Sequence, residues 1–87
     1  MDKNLLGNWS AFADGIHIEI LFNSDGSFDT NIPFAGGSET FGVWLDKEGE
    51  LLLTLEAGQL GFRYSISGST LYLTNAKTGA NLELSRV

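Results

Sequence analysis

Ile16-His17-Ile18-Glu19-Ile20-Leu21-Phe22, followed after Asn23-Ser24-Asp25-Gly26 by Ser27-Phe28-Asp29-Thr30-Asn31-Ile32, decides the fold. Ile16, Ile18, Ile20 and Phe22 recur at every second position with His17 and Glu19 between them, the period of a strand with one buried face. Phe28, Thr30 and Ile32 resume that period after a break. If Phe22 lies opposite Phe28, Ser24-Asp25-Gly26 remains as a three-residue loop. The last position of such a loop takes a left-handed backbone, and here it is a glycine. Alternation and turn chemistry therefore agree on an antiparallel hairpin.

The same reading extends in both directions. Trp9, Ala11 and Ala13 form a strand on the N-terminal side. On the C-terminal side come Phe41, Val43 and Leu45, then Leu51, Leu53 and Leu55, then Leu60, Phe62, Tyr64 and Ile66, then Leu71 and Leu73, then Leu82 and Leu84. Leu45 opposite Leu51 leaves Lys47-Glu48-Gly49 as a three-residue loop. Leu55 opposite Leu60 leaves Ala57-Gly58, Ile66 opposite Leu71 leaves Gly68-Ser69, and Leu73 opposite Leu82 leaves Ala76-Lys77-Thr78-Gly79. About eight short strands at this spacing predict an all-β, antiparallel meander closed into a small barrel, with a short N-terminal turn or helix, as a single domain over residues 1–87. One connection is longer than a hairpin loop. Pro33-Phe34-Ala35-Gly36-Gly37-Ser38-Glu39 reads as a surface crossover, or as a flap with Phe34 at its tip.

Two ends of the chain add a resemblance. Gly7-Asn8-Trp9 opens the first strand, and Leu82-Glu83-Leu84-Ser85-Arg86-Val87 closes the last with an arginine. This resembles the lipocalin (calycin) signature, in which an arginine from the final strand covers a tryptophan near the barrel base. Phe22 to Phe28 and Tyr64 to Leu71 are similar to the repeated hairpins of short lipocalin-like domains of uncharacterised function in bacterial proteins. The resemblance implies a lipocalin-like barrel with Trp9 and Arg86 as a structural pair, in a chain about half the length of a true lipocalin. The pairing also follows from parity. Arg86 shares the face of Leu82 and Leu84, so its guanidinium must find a partner at the core, and an indole face with nearby carbonyls suits it.

Lys and Arg total 5 against 11 Asp and Glu, for a net charge of −6. Nucleic-acid backbones and anionic lipid surfaces repel such a chain, since binding them depends on basic residues. Cysteine is absent, which removes disulfides and thiolate metal sites. No apolar run is long enough to cross a bilayer, so membrane insertion is not expected. With no signal peptide in sight, a complete chain would stay cytoplasmic. Asn8-Trp9-Ser10 fits the glycosylation pattern by coincidence of three residues.

Catalytic signatures are missing. His17 is the single histidine, with Glu19 two residues on along the same strand face, about 7 Å away. Such a pair could serve as base and orienter or as two metal ligands, but a solvated outer face explains it, and zinc needs a third protein ligand. Asn23 to Ser27 with Asp29 has a faint likeness to a calcium loop, yet its flanks are strands and the turn accounts for Asp25 and Gly26. Asp46, Glu48, Glu50 and Glu56 read as a solvated acidic surface. Gly36-Gly37 lacks the lysine and helix of a phosphate loop. No metal, cofactor or catalytic residue is assigned.

The outward parity is less plain. Trp44, Leu52 and Tyr72 fall on the opposite face from the core, as do Phe12 and Leu21, and the register above sets Trp44 across from Leu52. Aromatic patches mark interaction sites, so Trp44, Leu52 and Tyr72 are expected to contact a protein partner or a second copy in a homodimer. Together with Phe34 they are the candidate binding residues. Two functions follow. One is a non-enzymatic binding or interaction module that uses this patch or a small apolar pocket at the barrel mouth for a small hydrophobic ligand. The alternative is a small cyclase or isomerase that folds a hydrophobic substrate with help from Tyr64 or His17. The first is favoured because inward apolar side chains should fill so short a barrel.

Overall fold

The computed structural model describes residues 2–32 and 40–87. After a short 3-10 turn, Lys3–Leu5, the chain runs through eight strands: β1 Gly7–Ala13, β2 Ile16–Phe22, β3 Ser27–Thr30, β4 Phe41–Lys47, β5 Glu50–Leu55, β6 Gly58–Ser67, β7 Thr70–Asn75 and β8 Asn81–Arg86. Each pairs antiparallel with the next, and β1 pairs with β8, closing an all-β barrel. The two ends differ in what they carry. The 3-10 turn, the start of β1, the end of β8 and the β2–β3, β4–β5 and β6–β7 turns form the base. The β1–β2 and β5–β6 turns, the end of β3, the start of β4 and the β7–β8 loop form the mouth.

Several registers match the sequence reading: Phe22 faces Phe28, Ile66 faces Leu71 and Leu73 faces Leu82. In the first of these, Gly26 has φ +89 and its amide donates to the Asn23 carbonyl at 3.1 Å. Leu53, and not Leu55, faces Leu60, because the β5–β6 turn is the two-residue Glu56-Ala57. That two-residue slip keeps every side chain on its face.

The β4–β5 hairpin overturns an expectation. Its loop is two residues, Glu48-Gly49, and not three. Both sit at positive φ, +52 and +83, as a type I′ turn requires, and Lys47 pairs with Glu50. Leu45 therefore faces Leu52, and Trp44 faces Leu53. A one-residue slip moves a whole strand to its other face. Trp44 points into the core with 6 % of its surface exposed, while Phe41, Val43 and Leu45 stand outside at 63, 56 and 63 %. The expected exposed Trp44 and its pairing with Leu52 are thus corrected: the twist-matched turn sets the register, and burial of the indole goes with it.

Gly42 precedes Trp44 on the inner face, opposite Phe28, whose ring occupies the space a side chain would need. A Cβ at Gly42 would lie 2.8 Å from Phe28 Cε1 and against the Thr54 carbonyl oxygen. Gly42→Ala is accordingly expected to destabilise by about 1–3 kcal/mol through overpacking, read as a lower urea midpoint. A midpoint equal to wild type would show that the Thr54 backbone and the Phe28 ring both give way at little cost. The buried core comprises Leu5, Trp9, Ile20, Phe22, Phe28, Trp44, Leu51, Leu53, Leu71, Leu73 and Leu84.

Candidate functional site

The base is sealed. Leu5 and Trp9 are fully buried there, and the Trp9 indole Nε1–H donates to the Leu5 carbonyl at 2.9 Å. The Arg86 guanidinium lies 4.1 Å from the Trp9 ring centroid and donates to the Leu6 carbonyl at 2.7 Å and to the Asn4 carbonyl. Asp2 fastens the same end. Its carboxylate accepts from the Asn4 amide and from the Tyr64 hydroxyl at 2.9 Å, and its own amide donates to Asp46 Oδ1 at 3.0 Å. Burial, then the Asp2 and Asp46 carboxylates, raise the Tyr64 hydroxyl above its ordinary value, so it stays a proton donor at neutral pH. Asp46 thus turns inward, away from the acidic surface expected of it. Of the other three acids, Glu48 and Glu50 are exposed at the base, and Glu56 is exposed at the mouth.

The opposite end holds a cup of about 270 Å³. Ile20, Leu53, Leu60, Phe62, Leu73 and Leu82 line its wall, with Asn75, Ala80 and Asn81 at the rim. The apolar residues sit there because β2 and β5 to β8 present alternate positions inward. Asn75 has the same inward parity as Leu71 and Leu73. Its Oδ1 accepts from the Lys77 and Thr78 amides at 2.9 and 3.1 Å and fixes the β7–β8 loop. The amide donors are then the group it can offer. Asn81 Oδ1 is likewise held, by the Thr74 hydroxyl at 2.9 Å. Among the described residues, none that lines the cup is ionisable.

The sequence allows for a small apolar pocket at the barrel mouth, yet its alternation counts more inward apolar side chains than the barrel holds, and the difference lies in β4. With Phe41, Val43 and Leu45 outside and Gly42 inside, the interior holds fewer large side chains than the alternation suggested. The signal was present in Glu48-Gly49, which repeats the two-residue Asp14-Gly15 turn between β1 and β2, where both residues also have positive φ.

The other sequence candidates are dispersed. Trp44 is inside, in an edge-to-face contact with Phe22 at 5.4 Å, with its Nε1–H on the Asn23 carbonyl at 3.1 Å. Leu52 is half-buried on the outer face of β5, and Tyr72 is exposed on β7, with β6 between them. Phe34 lies outside the described residues. His17 is exposed on the outer wall, stacked on Phe12 at 4.8 Å with its Nε2 3.5 Å from Glu19. It is remote in orientation from the cup. Asp25 spends its carboxylate on the turn, accepting from the Ser27 amide and hydroxyl at 2.9 and 2.6 Å, bonds that hold its pKa below the usual value. Among the described residues no group of three His, Cys, Asp or Glu is placed to hold a metal ion, and no helix is long and apolar enough to cross a membrane.

Fold and site together define the class: a closed eight-stranded antiparallel β-barrel with a sealed base and an apolar cup at the mouth. A scan of family models, a search of curated proteins and a search of solved structures each return no match to this chain.

Proposed function

We propose that the barrel is a non-enzymatic, lipocalin-like binding module that takes a small apolar molecule bearing a hydrogen-bond acceptor into the cup at its mouth. The observation that carries this reading is the contrast between the ends: indole, guanidinium and carboxylate groups seal the base, while apolar side chains surround an open cup of about 270 Å³ at the mouth. That volume equals about nine water molecules in the liquid and lies just under the usual range of ligand pockets, so it suits a short aliphatic or single-ring ligand. Asn75 would meet the acceptor with its amide donors. Acid–base chemistry has less support, because among the described residues no ionisable group lines the cup and Tyr64 is engaged by Asp2 at the base.

The test is calorimetric titration with medium-chain fatty acids and with their alcohols. Leu60→Trp, at a half-buried wall position, is expected to fill the cup and weaken binding at least about tenfold while thermal stability changes little. Equal affinity in wild type and variant would remove the cup as the binding place. Absence of binding across both series would remove the reading.

A further inference from the structure

Among the described residues that line the cup, the polar side chains are Asn75 and Asn81. Asn81 shares the outward parity of Glu83 and is tied to the Thr74 hydroxyl, so its side chain turns away from the cup. Asn75 has the inward parity of Leu71 and Leu73, and the β7–β8 loop fixes its direction. Every backbone amide of that loop is engaged within the protein. Ala76 donates to the Gly61 carbonyl at 3.0 Å, Lys77 and Thr78 donate to Asn75 Oδ1, Gly79 donates to the Asn75 carbonyl at 2.8 Å, and Ala80 donates to the Thr78 hydroxyl at 3.2 Å. The Asn75 amide in turn donates to the Ala80 carbonyl at 2.8 Å. The loop is therefore built without help from a ligand. An amide oxygen has two lone pairs, and both of those on Asn75 Oδ1 are taken. The side chain can then offer only the hydrogens of Nδ2, which meet no acceptor among the described residues. With Oδ1 turned to the loop, Nδ2 is the end left to the cup.

Resting on the reading of the cup as a ligand site, we infer that its ligand is a neutral carbonyl compound, a ketone or ester of medium chain length. The tail lies among Leu53, Leu60, Phe62 and Leu73, and the carbonyl oxygen accepts from Asn75 Nδ2. A rim that only donates discriminates between head groups. A carbonyl oxygen accepts and brings no hydrogen that needs a partner. A hydroxyl accepts equally well but carries its own O–H, and the Asn75 and Ala80 carbonyls at this rim already accept from the Gly79 and Asn75 amides. That hydrogen is left to water, which weakens the fit. A carboxylate would gain a charge-assisted bond from the amide. It must also give up water beside apolar walls, with no cation in the lining among the described residues. The mouth turns set exposed Asp14 and Glu56 against exposed Lys77, and the chain carries a net charge of −6, so the surroundings do not offset that loss. An ammonium head finds donors where it needs acceptors. Asn75 is thus the specificity-determining residue of the cup.

Calorimetric titration with methyl hexyl ketone, the alcohol made by reducing it, octanoate and octylammonium tests this, because the apolar tail is nearly constant and the head varies. Wild type should bind the ketone most tightly, the alcohol several-fold more weakly, and the two ions at least about tenfold more weakly. Asn75→Asp keeps an oxygen for the Lys77 and Thr78 amides and loses both Nδ2 hydrogens. It should melt with wild type, bind the ketone at least about tenfold more weakly, and bind octylammonium more tightly than wild type does. A loosened loop would not produce that reversal. A wild-type chain that binds the alcohol or octanoate as tightly as the ketone overturns the inference, and so does an Asn75→Asp variant with wild-type ketone affinity. If Leu60→Trp blocks the ketone in either of those cases, the cup stands and this assignment of its ligand falls. If none of the four compounds binds wild type, the cup itself fails and the inference falls with it.

Discussion

Trp9→Ala is expected to lower stability by about 3–5 kcal/mol, the range for truncation of a large buried aromatic. Three consequences act together. The indole is fully buried, so its removal leaves a cavity at the base next to Leu5. Its Nε1–H satisfies the Leu5 carbonyl, which would lose its donor inside the protein. Arg86 would lose the ring it lies over while keeping its bonds to the Leu6 and Asn4 carbonyls, loosening one of the contacts by which the last strand holds the N-terminal segment. For a domain of 87 residues, whose total stability is of the order of 5–15 kcal/mol, that is a large fraction. Urea unfolding should show a lower midpoint with an unchanged slope. Trp9→Phe should fall between, retaining apolar bulk without the donor. A loss below about 1.5 kcal/mol for the alanine variant would mean that the base seals without this residue.

How much of this was legible in the sequence depends on what each residue had to satisfy. Strand count, meander order and the Trp9–Arg86 contact were readable because period-two alternation and parity act locally, and each tight turn carries its own glycine or polar signal. Asp25 and Gly26 announce their turn in their own chemistry. Arg86 announces a partner because a guanidinium with core parity cannot be left alone. The β4 strand was misread for an equally local reason. Its outward residues, Phe41, Val43 and Leu45, are as apolar as a core set, and its inward residues, Gly42, Trp44 and Asp46, are a glycine, an indole and a carboxylate. Composition alone cannot rank those two faces. Tertiary contacts do: Phe28 lies over Gly42, Phe22 packs on Trp44 and the Asp2 amide donates to Asp46. The pocket at the mouth was within reach of the sequence, but its room was understated by the same error, which counts three outward side chains as inward ones.

Trp44→Ala and Leu45→Ser form the pair that decides the β4 register in solution. Trp44 is 6 % exposed, packs edge-to-face on Phe22 and donates its Nε1–H to the Asn23 carbonyl, so it ties the inner face of β4 to the β2–β3 turn. Its truncation should cost about 3–5 kcal/mol, with the lost burial dominating and the aromatic pair adding about 1 kcal/mol. Leu45, one residue on, is 63 % exposed, and its replacement by serine should change monomer stability by no more than about 0.5 kcal/mol. Under the alternative register the ranking inverts, because Leu45 would then sit in the core and Trp44 in water. Chemical unfolding of both variants separates the two cases. A large loss for Leu45→Ser with a small one for Trp44→Ala would refute the two-residue Glu48-Gly49 turn, and with it both the cup and the outward placement of Phe41, Val43 and Leu45.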